Sequence, residues 1–292
     1  MNSKKMLGAL LLSLAASIWG GMFVVVKVVV ETIPPIELVW LRYLIALVCL
    51  MLFAVIFHIK WRFNQRDLGI IILIGIIGNA ISIVTQETGT WLSNAQTGAV
   101  ITSATPTFMI IFAWWLLGEK LDAVKIISVT MATLGVIWIV GVHLSGTHVL
   151  LGIFSLIIAA LTWALMSVLV KKVSGTYNSL QITIMSTFVA FVCLTPFVLS
   201  HMDVITQAHY LEPKIGLSLL YLGIVSTALG FVMWNKGLQL MNAASSGLFF
   251  LFQPIVGTLL GWLVLGETIS WGFVFGTMMI IGSVWVSIRF AK

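Results

Sequence analysis

Polar side chains inside long apolar runs are the residues of this chain that can do chemistry, because hydrocarbon offers them no partner but one another or a solute. Arg42 and Glu87 are the charged members of the set. Asn79, Ser82 and Gln86 share one helical face with Gly75, and Thr227, Gly230 and Trp234 repeat that spacing behind Gly223. Such stripes suit a cavity wall; close helix packing through small residues is the structural alternative. Arg42 can hold an anionic group, pair loosely with Glu37, or snorkel to an interface. Glu87 can serve as a proton-coupling acid or hold a substrate ammonium, or it is simply an acid near the interface.

Other residues have similar double readings. Trp19, Trp163 and Trp234 are candidates for the same cavity, with Asn235 and Gln253 as polar members. Pro106 and Pro254 fall in mid-run, where each frees a backbone carbonyl four residues earlier, at Thr102 and Phe250. Broken helices at that depth coordinate solutes or bend during gating, and a static kink is the alternative. Lys27 and Lys171 end apolar runs and read as interfacial lysines, whereas Glu119 and Glu267 read as structural, capping the following helix or pairing with a base. The five histidines, His58, His143, His148, His201 and His209, read as loop residues.

The elements that must position these groups follow from composition. Of 292 residues, 60% are hydrophobic and only 8% are charged, against roughly 25% charged in a soluble domain. The chain reads as an integral membrane protein, all-α, because no stretch alternates as a barrel strand would. Ten apolar segments fall near 6–29, 36–57, 68–88, 95–117, 123–142, 150–171, 179–199, 214–235, 243–265 and 270–288. The run after Lys4 and Lys5 lacks a cleavage site and reads as an uncleaved first span. Cys49 and Cys193 lie in mid-run and read as buried hydrophobes.

With the N-terminus inside, one side collects Lys4, Lys5, Lys60, Arg62, Arg66, Lys120, Lys125, Lys171, Lys172, Lys236, Arg289 and Lys292, twelve of the 15 bases. That asymmetry is the positive-inside signal, and an even number of spans puts both termini in the cytoplasm.

The chain also repeats itself. "NAQTGAVITSATPTFMIIFAWWLLGE" aligns with "NAASSGLFFLFQPIVGTLLGWLVLGE", pairing Asn94 with Asn242, Pro106 with Pro254, Gly118 with Gly266 and Glu119 with Glu267. A second alignment pairs Trp19 with Trp163, Lys27 with Lys171 and Glu37 with Gln181. We place the halves at 1–145 and 146–292. Five spans per half is an odd number, so the halves are inverted, a common transporter design with a central site.

These segments, with "SIWGGMFVVVKVVVETIPPIELVWLR" and the doubled P…LLGE and P…LGE endings, resemble the EamA-type transporters of the drug/metabolite transporter superfamily. The resemblance covers nearly the whole chain. It implies a ten-helix carrier with a central cavity that moves amino acids, other metabolites or drugs, often outward. One departure stands out: Gln86-Glu87 occupies a place where the family usually carries apolar or aromatic residues, and its counterpart here is Trp234-Asn235.

No phosphate-cradling loop, catalytic signature or C-x-x-C motif occurs, which removes support for ATPase, hydrolase, zincin and redox classes. The chain is read as no enzyme and as needing no cofactor or metal; the net charge of +6 marks membrane sidedness, and no nucleic-acid partner is implied. The expected partners are a small-molecule substrate and the lipid bilayer, with proton coupling an option. The leading expectation is a secondary transporter of small amphipathic solutes, amino acids above all, exporting them across the bacterial inner membrane. Drug or sugar-phosphate transport is the weaker carrier reading, since phosphate calls for several bases. A non-transporting assembly or lipid-interacting protein is the other class, resting on Gly257-T-L-L-Gly261 and Gly272-F-V-F-Gly276 as packing motifs.

Overall fold

The computed structural model describes residues 3–120, 122–141, 147–173 and 175–290; His143, Lys292 and the boundary between 145 and 146 lie outside them. The described residues are helical and hold no strand. Ten spans follow in order: α1 (Ser3–Val29), α2 (Pro35–Ile56), α3 (Gln65–Leu92), α4 (Ala95–Leu117), α5 (Ala123–Gly141), α6 (Thr147–Val173), α7 (Ser179–Leu199), α8 (Pro213–Leu240), α9 (243–265) and α10 (Trp271–Phe290). A short helix, Met202–Gln207, joins α7 to α8. Seven spans are long and apolar enough to cross a membrane over their described length, and shorter apolar stretches, Ala123–Gly135, Phe252–Leu265 and Val274–Ser283, lie in the other three.

Local chemistry sets the ends of these helices. Asn94 and Asn178 accept a backbone N–H at the start of α4 and α7, and Pro35 and Pro213 open α2 and α8 where a missing N–H does no harm. Gly118 and Gly266 take left-handed φ values of 68° and 66°. Each lets the following glutamate N–H fold back, Glu119 to the Ala113 carbonyl and Glu267 to that of Gly261, both at 3.2 Å. These are two copies of one left-handed glycine stop.

The repeat extends to irregularities that no periodicity reveals. Both α3 and α8 widen into a π-helical stretch at equivalent places, Ile74–Ile81 and Tyr221–Leu229. Both α4 and α9 break near the middle. In α4 a turn at Ser103 and Ala104 precedes Thr105–Leu117, with Pro106 in the first turn, and the Thr105 hydroxyl takes the Thr102 carbonyl at 2.6 Å. In α9 a 3-10 stretch, Leu248–Leu251, precedes Phe252–Leu265, which carries Pro254.

The halves interlock. α1 packs on α8 and α9, α6 packs on α3 and α4, while α2 meets α7 and α5 meets α10. Glycines make these crossings possible. A Cβ on Gly75 would lie 2.6 Å from Val189 and one on Gly223 would lie 2.6 Å from Ile45, which are equivalent places in the two halves. Gly89 against Gly152 and Gly237 against Gly8 form a second equivalent pair of close backbone contacts. Gly257 sits against Ala99 and Gly20, so the first glycine motif is used inside this chain.

Inversion is visible at the two ends of the bundle. Lys27, at the end of α1, donates to the Trp91 and Ser93 carbonyls at the end of α3. Lys171, at the end of α6, donates to the Leu238 and Met241 carbonyls at the end of α8. Gly8 at the start of α1 lies against Met241, so α1 and α6 run in opposite directions. Both lysines therefore cap a neighbouring helix C-terminus, a more specific role than interfacial snorkelling. Two further readings change: His148 lies in the first turn of α6 rather than in a loop, and Cys193 is exposed while Cys49 is half-buried.

Candidate functional site

Six helices, the equivalent pairs α1/α6, α3/α8 and α4/α9, enclose one central cavity. Trp19 and Trp163 occupy equivalent places on α1 and α6 and meet edge to face with centroids 5.1 Å apart. Phe231 lies 5.3 Å from Trp163, and Phe250 stacks on Trp19 at 6.0 Å. Gln86, Thr102, Thr105 and Gln253 supply the polar wall, and no lining side chain carries a formal charge. The space between the atoms amounts to about 310 Å³, but a water molecule can be centred in only about 10 Å³ of it. That is room for about one water, so the side chains fill most of the site.

The polar atoms at the cavity are unequally satisfied. The Trp19 indole N–H donates to the Ser226 carbonyl at 3.0 Å, and Thr102 donates its hydroxyl hydrogen to Gln253 Oε1 at 3.1 Å. Trp163 Nε1 is buried without a partner. A buried donor left unpaired is unfavourable by roughly 1–3 kcal/mol, so an acceptor on a solute would satisfy it.

Behind this wall lies the charged pair. Arg42 and Glu87 are both fully buried and bonded to each other, and Arg42 also donates to Thr227 Oγ1 at 2.8 Å and Ser226 Oγ at 3.0 Å. Its Nη2 lies 3.4 Å from the sulfur of Met22, a cavity residue, and Glu87 follows Gln86. Glu87 Oε2 has no partner. Arg42 thus neither snorkels nor pairs with Glu37, and Glu87 is no interfacial acid.

The stripe on α3 does not stay on one face. Gly75 and Asn79 meet α7, where Asn79 Nδ2 donates to Ser186 and Thr187 at 3.1 and 3.2 Å. Ser82 donates to the Ala159 carbonyl of α6 at 2.8 Å, and only Gln86 reaches the cavity. A π-helical turn is wider than an α turn, so residues four apart no longer align. On α8, Thr227 serves Arg42, Asn235 donates to Thr183 at 2.9 Å, and Trp234 donates to Ser167 while packing behind Phe250 at 4.6 Å. Of the residues singled out from sequence, the structure brings Trp19, Gln86, Trp163 and Gln253 together at the cavity. It places Asn79, Ser82, Thr227, Trp234 and Asn235 in packing contacts around it. The sequence pointed to Thr102 and Phe250 only through their backbone carbonyls and not at all to Thr105 and Phe231, although Thr105 is the repeat equivalent of Gln253 and Phe250 that of Thr102. Glu267 caps α4, its carboxylate accepting from Ala95 and Gln96 N–H at 2.9 and 3.0 Å, rather than the helix that follows it.

Ten spans in two inverted halves, closing on a shared cavity, define a carrier. The EamA-like transporter family model matches residues 6–141 and again 150–289. The chain belongs to that family and is a membrane transporter. An uncharacterized transporter of Clostridium kluyveri is 29% identical over 258 residues, covering 86% of this chain and 82% of that protein. A Salmonella typhimurium protein described as a probable amino-acid metabolite efflux pump is 26% identical, covering 94% of this chain and 92% of its own length. One crystal structure superposes with a TM-score of 0.73 at 17% identity over 96% of both chains, which speaks to the fold.

Proposed function

We propose that this transporter exports small neutral amphipathic solutes, amino acids or close relatives, across the bacterial inner membrane by alternating access, with both termini in the cytoplasm. The observation that carries the reading is the cavity: an aromatic body with amide and hydroxyl groups, one unpaired indole N–H, and no formal charge. A phosphorylated solute calls for several bases, and the nearest one, Arg42, is engaged by Glu87, Thr227 and Ser226. The inverted halves support rocking of one bundle against the other around the site. The Salmonella relative's description favours amino-acid metabolites and outward movement.

Glu87 is the proposed coupling acid. Its free oxygen can take a proton, which would release Arg42 for rearrangement beside the cavity. The test is uptake and efflux of a panel of labelled neutral amino acids in proteoliposomes, with and without a proton gradient, for the wild type and Glu87→Gln. Gradient-stimulated flux that the substitution abolishes is expected. Flux indifferent to both leaves a facilitator, and no flux of any panel member removes the substrate assignment.

A further inference from the structure

A second concavity lies on the outside of the bundle, between α2 and α7. It encloses about 1220 Å³ of space open to the surroundings, and every lining residue is apolar, among them Val48, Leu52, Trp61, Ile184 and Phe188. Both helices are membrane spans, so the groove faces lipid. At its Trp61 end the connection from α2 to α3 carries Lys60 and Arg62, and the first turn of α3 adds Arg66, all exposed. Among the described residues no carboxylate pairs with any of them.

The rim is built. Arg62 is held through its backbone on both sides by Gln181 of α7, its N–H donating to Oε1 at 3.2 Å and its carbonyl accepting from Nε2. Asn64 N–H donates to the Tyr177 hydroxyl at 2.9 Å. The loop that carries the bases is thereby pinned beside the groove mouth.

The other end of the same helix pair differs. There Trp40 stacks on Phe191 at 5.0 Å and donates to Thr195 Oγ1 at 3.0 Å, and the connection carries Asp203 and Glu212 around Met202–Gln207. Two halves that agree in helix breaks, caps and glycines disagree here. One end offers an open apolar groove under a rim with three bases; the other has a bonded aromatic pair under a rim of Asp203, Glu212 and Lys214.

We propose that the groove between α2 and α7 is a binding site for an anionic phospholipid. One acyl chain lies along Val48, Leu52 and Phe188, Trp61 sits at the level of the glycerol backbone, and Lys60, Arg62 and Arg66 hold the headgroup phosphate. Charge complementarity selects this occupant. A zwitterionic lipid would fill the groove equally well but gains little from three unpaired bases, whereas each base near an anionic surface strengthens binding by about fivefold.

Native mass spectrometry of the purified full chain tests this. Phosphatidylglycerol and phosphatidylcholine of identical acyl chains are titrated against the wild type, the rim variant Lys60→Gln/Arg62→Gln/Arg66→Gln, and the groove variant Leu52→Trp. We expect the wild type to retain one phosphatidylglycerol at least tenfold more tightly than phosphatidylcholine. The rim variant should lose that preference, and the groove variant should lose the tight lipid with the rim intact. Equal retention of the two lipids by the wild type overturns the proposal, and so does a preference that survives the rim substitutions. The substituted positions are exposed, and unchanged gel-filtration profiles separate lost binding from lost folding.

Discussion

At the scale of single residues, the buried pair Arg42 and Glu87 is the most consequential departure from the apolar background. Removing one partner leaves the other charge uncompensated, which is destabilising by about 3–5 kcal/mol, whereas replacing both with apolar groups is often neutral. Arg42→Ala should therefore lower thermal stability in detergent markedly, and Arg42→Leu/Glu87→Leu should recover most of the loss. A double variant as unstable as the single one would show that the pair's hydrogen bonds to Ser226 and Thr227 matter more than its charge balance. The pair was only half legible in the sequence. Both residues stood out as charges within apolar runs, but they are 45 residues apart on helices whose packing no local pattern reveals, and the nearer Glu37 drew the first pairing.

Elements explain which parts of the site the sequence disclosed. The doubled segments ending in Glu119 and Glu267 located the helix breaks at Pro106 and Pro254, because proline acts through its own backbone and needs no tertiary information. The stripe through Gly75, Asn79, Ser82 and Gln86 misled for an equally physical reason: its spacing assumes an α pitch, and Ile74–Ile81 is π-helical. The caps by Lys27, Lys171 and Glu267 were beyond reach since each serves a helix other than its own or the next one. Packing at the interlocked halves supplies the prediction for this scale. A Cβ on Gly89 would lie 2.5 Å from Leu156 Cγ, and one on Gly237 would lie 2.4 Å from Leu12 Cγ, its repeat equivalent. Overpacking a tight site is unfavourable by about 1–3 kcal/mol, so Gly89→Ala and Gly237→Ala should each lower the melting temperature, and by similar amounts. A substantial loss at one position with none at the other, read by thermal shift, would contradict equivalent packing in the two halves.

For the molecule as a whole, the inverted repeat has a thermodynamic consequence. Exchanging the roles of the two halves converts a state open to one side into a state open to the other, so contacts present in both halves contribute equally and cancel from the difference. The twin helix breaks, the glycine crossings, the lysine caps and the Trp19–Trp163 pair are of this kind. Arg42 and Glu87 are not, since Ser186 and Asn235 stand at the equivalent places. Under the proposed alternating access, shared contacts keep the cavity reachable from both sides, and unshared ones decide which side is favoured. The central claim is that solute crosses through the aromatic cavity, held there in part by the Trp163 N–H. Counterflow of labelled neutral amino acids into preloaded proteoliposomes, compared between the wild type and Trp163→Phe, tests it most directly. The substitution keeps an aromatic ring against Trp19 and Phe231 and removes the unpaired donor together with part of the indole's area. Saturable counterflow with the Michaelis constant raised about fivefold, as for the loss of one hydrogen bond of about 1 kcal/mol, is the expected result. Saturable counterflow whose Michaelis constant is the same in both proteins would contradict it.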